Sequence, residues 1–165
     1  MHRLTDRFEH VAHRELRGEL SLLVSLAAEE LDRPGSRNTA ALREFHIQAS
    51  RLLATTASHF DREETRLFPA IRLAEDGVGP ADRVNRHLRE MFRDHAVLRM
   101  QLDVIRDLID RVNVSSACPL VEMLFGSLAA LADDIEQHLD DEERTLLGYA
   151  WMPREEDSLC SAAHH

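Results

Sequence analysis

The chain has 165 residues, which suits one domain with a real core and no disulfide staples and leaves little room for a second. Its formal net charge is −10, and its basic residues are interleaved with acids throughout, so neither a nucleic-acid surface nor a polybasic membrane patch is expected. Aromatic residues make up only 5%, with six Gly and five Pro; that is too little turn and strand chemistry for a β-sandwich or barrel and points to an all-α fold.

Four long amphipathic segments follow one another. The first runs from Leu4 to Leu31 and stops at Asp32-Arg33-Pro34-Gly35. The second runs from Thr39 to Ala74, with Asn38 as its N-cap, and the Phe68-Pro69 step inside it predicts a kink. Asp76-Gly77-Val78-Gly79-Pro80 is the clearest turn in the chain. The third segment runs from Pro80 to Val112, Asn113 to Ser116 connect, and the fourth runs from Pro119 to Ala150. Connections this short between long helices predict an antiparallel, up-down-up-down four-helix bundle. The bundle is expected over residues 1–152, with a polar, disordered tail over 153–165. Cys118 and Cys160 sit at opposite ends of the last helix region and read as free thiols. With no signal peptide and no apolar run of transmembrane length, a cytoplasmic protein is expected.

The chain repeats itself. His59-Phe60-Asp61-Arg62-Glu63-Glu64 aligns with His138-Leu139-Asp140-Asp141-Glu142-Glu143. His13-Arg14-Glu15-Leu16-Arg17 aligns with His95-Ala96-Val97-Leu98-Arg99, and the match continues with Leu20 over Leu102 and Leu23 over Ile105. The two halves read as copies of one helical hairpin. The repeat singles out four of the ten histidines; His10, His46 and His87 have no histidine partner in its register, and His2, His164 and His165 lie at the termini.

Helical spacing then turns these residues inward. His13 shares a stripe with Leu16, Leu20, Val24 and Ala27, and His95 shares one with Leu98, Leu102, Ile105 and Ile109. In each His-x-x-x-Glu the two side chains are one turn apart on one face. His13 lies roughly 27 Å from the first turn of the bundle, and the His59/Glu63 pair roughly 30 Å from the same turn, at 1.5 Å rise per residue. The six side chains His13, His59, Glu63, His95, His138 and Glu142 therefore meet in one layer. Buried together they are costly unless paired or bound to metal. A lone core histidine is ordinarily structural; four with two carboxylates are not a common core. Met91, Met100 and Met123 are expected to be core filler, Tyr149 and Trp151 to cap one end, and His46 and His87 to lie at the surface.

Imidazole with carboxylate suits iron, manganese or zinc better than calcium or magnesium. Six ligands exceed one closed zinc site. Two metals bridged by Glu63 and Glu142, each capped by two histidines, use every ligand, and a redox-active pair of iron ions is the expected occupant. Glu-x-x-His, HExxH, Walker A, GxGxxG and GxSxG are all absent, which sets aside ferritin-like di-iron sites, zincins, nucleotide-binding loops and the nucleophile elbow.

The order His…His-x-x-x-Glu…His…His-x-x-x-Glu resembles the hemerythrin-like, or HHE cation-binding, domain family over about residues 4 to 150. The resemblance implies a bundle around an oxo- or hydroxo-bridged di-iron centre whose partner is O₂, NO or peroxide. Oxygen-carrying members add a fifth histidine as HxxxH on the third helix; here the positions four from His95 are Met91 and Arg99. Four histidines with two glutamates look more like the di-iron proteins that repair iron centres after oxidative or nitrosative damage. Phe8 to Glu15 and the HFDREETRLFPAI stretch resemble them too, without the cysteine-bearing N-terminal domain those proteins usually carry. That likeness makes His10 the helix-one ligand, whereas the repeat and the stripe make it His13. His13 is preferred, with His10 as the alternative. A metal-stabilised sensor, regulatory or oxygen-binding module is the other function such a chain could serve, and a protein partner is left open.

Overall fold

The computed structural model describes residues 2–31, 39–75, 81–114 and 118–150, all of them helical. Helix α1 spans His2–Leu31 and α2 spans Thr39–Arg62. A π-helical turn, Glu63–Leu67, follows α2 without a break and leads into α3, Phe68–Glu75. Helix α4 spans Ala81–Val114 and α5 spans Cys118–Ala150. With α2, the π turn and α3 counted as one interrupted helix, the fold is an antiparallel four-helix bundle. Around its ring α1 packs on α2 and α5, and α4 packs on α5 and α2. The expected boundaries are met to within two residues. The Asn38 cap, the Asp76–Pro80 turn, Trp151 and the 153–165 tail lie outside the described residues.

The kink expected at Phe68-Pro69 takes the form of the π turn just before it. The Phe68 N–H donates to the Glu63 carbonyl five residues back. Pro69 has no N–H to extend the α-type ladder, so the extra residue is accommodated in the preceding turn. Helix α5 is continuous over the equivalent stretch. The repeat in the sequence is therefore broken in the backbone at Glu63.

Two apolar clusters fill the bundle. The larger draws on α1, α2, α4 and α5, from Leu16, Phe45, Leu52 and Phe60 to Leu98, Ile105, Leu128 and Leu139. The smaller joins the π turn and α3 to α4, through Leu67, Phe68, Ile71, Val84, Leu88 and Met91. Two expectations fail. Val24 is 37% exposed while its neighbour Leu23 is fully buried. The two residues flank the core direction of α1 on either side, and the bundle closes over Leu23, leaving Val24 in the groove between α1 and α5. Met100 and Met123 are 70% and 57% exposed, so of these three methionines Met91 alone fills core. Met100 lies five residues past His95, about 140° round the helix and away from the inward face.

Candidate metal centre

A polar layer separates the two apolar clusters. On α4 the smaller cluster ends at Met91 and the larger begins at Leu98, with His95 between them. On the interrupted helix Phe60 and Leu67 bracket Glu63 in the same way. Among the described residues the buried polar side chains are His13, His59, Glu63, His95, His138, Glu142 and Thr56. Thr56 satisfies its hydroxyl locally by donating to the Leu52 carbonyl at 2.9 Å. That leaves the six residues singled out by the repeat. His10 is exposed. His46 and His87 are half-buried, and His87 Nδ1 lies 3.2 Å from a Glu90 carboxylate oxygen.

The six fall into two groups that share one carboxylate. Ligand atoms of His13, His59, Glu63 and Glu142 lie within 4.8 Å of one another, and so do those of Glu63, His95 and His138. Glu63 Oε1 is 2.6 Å from His59 Nε2 and 3.8 Å from His13 Nε2. Its other oxygen, Oε2, is 3.1 Å from His95 Nε2, which in turn lies 3.0 Å from His138 Nε2. Glu142 Oε2 is 3.4 Å from His13 Nε2. Phe60 and Phe68 stack on His95, with centroids 4.2 and 5.5 Å away, and keep water from that side of the layer.

Electrostatics show how poorly this layer is served by its own residues. Burial pushes the Glu142 carboxyl up to about 8, against the pull of His13 and with help from the Glu63 charge. Burial likewise opposes a charge on His13, but Glu142, Glu63 and Glu143 outweigh it and lift the imidazole to about 10. His138 is pushed down to about 3, by burial first and then by His95. Glu63 is held below the usual carboxylate range because His13, His59 and His95 outweigh its burial. His13 Nε2 and both oxygens of Glu63 and of Glu142 still meet no partner in hydrogen-bonding geometry. Buried polar atoms left this way are costly, and here they converge from α1, the π turn and α5 onto one small volume. Carboxylate and imidazole donors around that volume fit one or two cations of the zinc, manganese or iron type.

The histidines are held from behind. His13 Nδ1 lies 2.8 Å from Glu143 Oε1, and His95 Nδ1 lies 2.8 Å from Glu64 Oε1. Each contact fixes which ring nitrogen faces inward. Sequence reasoning assigned no role to Glu64 or Glu143. The signal was present, since both halves carry Glu-Glu rather than a single Glu after the histidine.

Buried histidines and glutamates inside a four-helix bundle define a metal-binding helical protein. The model of the hemerythrin HHE cation-binding domain family matches residues 6–150, and the chain belongs to that family. No curated protein and no solved structure matches it. No helix among the described residues is long and apolar enough to cross a membrane.

Proposed function

We propose that this chain is a non-haem di-iron protein that binds or reacts with O₂, NO or peroxide in the response to oxidative or nitrosative stress. Glu63, common to both residue groups, would be shared between two metal ions, one held by His13, His59 and Glu142 and the other by His95 and His138. The observation that carries this reading is the Glu63 carboxylate, whose two oxygens face different histidines at 2.6 and 3.1 Å. One carboxylate offered to two histidine groups suits a bridged pair of metals better than a single closed zinc site.

When bound in this layer, two iron ions would supply reversible binding of, or electron transfer to, a small ligand. The protein's own residues supply the rest. Four imidazoles and two carboxylates set charge and position, and Phe60 and Phe68 wall off one side. The position a fifth histidine would take is filled otherwise. Met91 is buried in the smaller apolar cluster, and Arg99 is engaged by Glu64 and Asp61. This favours iron-centre repair or stress chemistry over oxygen carriage.

The test is metal analysis with a visible spectrum of the purified protein, before and after NO. About two irons per chain, a near-ultraviolet and visible band, and a shift with NO are expected. One zinc per chain, or no metal after anaerobic iron loading, overturns the reading. Colourless protein that retains zinc would mark a metal-stabilised helical module instead.

A further inference from the structure

Behind His13 and His95, the two histidines followed four residues later by Arg instead of Glu, the structure repeats one construction of three charged side chains. Arg17 lies one turn after His13 on α1. Its Nη1 donates to Glu143 Oε1 at 2.8 Å, the same oxygen that faces His13 Nδ1, and its Nη2 donates to Asp140 Oδ1 at 2.6 Å. Arg99 lies one turn after His95 on α4. Its Nη1 donates to Glu64 Oε1 at 2.5 Å, the oxygen that faces His95 Nδ1, and its Nη2 donates to Asp61 Oδ1 at 2.8 Å. In each copy the carboxylates are three residues apart on the neighbouring helix, and that helix belongs to the other hairpin of the repeat.

We infer that Arg17, Asp140 and Glu143, and equally Arg99, Asp61 and Glu64, are positioning residues that fix His13 and His95 with Nε2 facing the metal layer, each clamped from the opposite hairpin. This deepens the di-iron reading, and its first test does not depend on it. Three features carry it. The glutamates touch the histidine nitrogen that faces away from the layer, so they orient the ring without competing for metal. The guanidinium fork spans two carboxylates one turn apart, a geometry that suits Arg and not Lys. The construction occurs twice in the same register, although the backbone of the two halves differs at the π turn. Ordinary surface ion pairs would not be expected to repeat in this way, and the arginine side chains are only about one-third exposed, at 32% and 34%.

The experiment uses Glu143→Ala, Glu64→Ala, Arg17→Lys and Arg99→Lys in the full chain. In metal-free protein, imidazole proton resonances read the ring contacts directly. Glu143→Ala should move the His13 Nδ1–H signal and leave that of His95, and Glu64→Ala should do the reverse, with helix content by circular dichroism unchanged. In iron-loaded protein, metal loss to a chelator should accelerate roughly 10–100-fold in either Ala variant. The Lys variants should lose metal faster than wild type by a smaller factor. Signals that move together, or not at all, overturn the inference whether or not the wild-type protein holds iron. So does wild-type metal retention in both Ala variants. A wild-type protein with the expected proton signals but no metal would overturn the di-iron reading and leave the clamps standing.

Discussion

Glu63 and Glu142 are equivalent in the repeat but not in the structure. Glu63 presents one oxygen to each histidine group, while Glu142 approaches only the group of His13, His59 and Glu63. Removing Glu63 should therefore disturb both metal positions and removing Glu142 mainly one. Metal analysis of Glu63→Ala should find little iron, and of Glu142→Ala about half the wild-type content, on the two-metal assignment. Equal losses would show that both carboxylates bridge. The same layer fixes a pH dependence. Without metal, His13 is lifted to about 10 and Glu142 to about 8, each shift depending on the other's charge, so near pH 7 the pair holds at least one proton that a metal must displace. Loading at pH 7 should release protons, and affinity should climb from neutral pH through about 8 and level off above about 10. Calorimetric titration in buffers of different ionisation enthalpy reads the release, and a pH-independent affinity from 7 to 10 would contradict it.

At the scale of the element, the sequence marked the helices well because their inward stripes keep helical spacing over some thirty residues. It marked the break less well. Pro69 announces that the ladder must fail nearby, but the compensation, a five-residue hydrogen bond from Phe68 to Glu63, depends on how the π turn and α3 pack on α4. It also missed which of Leu23 and Val24 turns inward, since both flank the core direction of α1. Two exposed helical glycines offer a test of how close these helices are to their best local sequence. A Cβ at Gly18 on α1 or at Gly126 on α5 would meet nothing within 4 Å. Gly18→Ala and Gly126→Ala should each stabilise the protein by about 0.5–1 kcal/mol, because alanine loses less backbone freedom on entering a helix. Thermal unfolding of the metal-free variants measures this, and a drop in either midpoint would mean the position needs its glycine for a reason the packing does not reveal.

Across the whole molecule, the bundle is two apolar cores held apart by a charged layer. The repeat made that layer legible, because the duplicated His-x-x-x-Glu together with the repeated His13 and His95 selects the same six residues that the fold buries together. The clamping role of Glu64 and Glu143 was not legible, because each reaches a histidine on the other hairpin, and pairing between hairpins is set by tertiary packing alone. The same architecture decides what metal removal does. Without a cation, the layer keeps buried nitrogen and oxygen atoms with no partner, between two buried apolar cores. Binding in the native state alone stabilises by RT ln(1 + [L]/Kd), about 4 kcal/mol at a free metal concentration a thousand times Kd. At roughly 2–4 °C per kcal/mol for a chain of this size, saturating iron should raise the unfolding midpoint by about 8–16 °C. Helix content should hardly change on chelation, because each helix is still anchored by one core or the other. Hydrogen exchange should show where the loss falls: amides next to the layer, around Glu63 to Leu67 and His138 to Glu142, should open faster in metal-free protein, while those flanking Leu20, Leu52, Ile105 and Leu128 should keep their protection. Uniform loss of protection along all the helices would mean that the metal holds the whole bundle together, not only its polar layer.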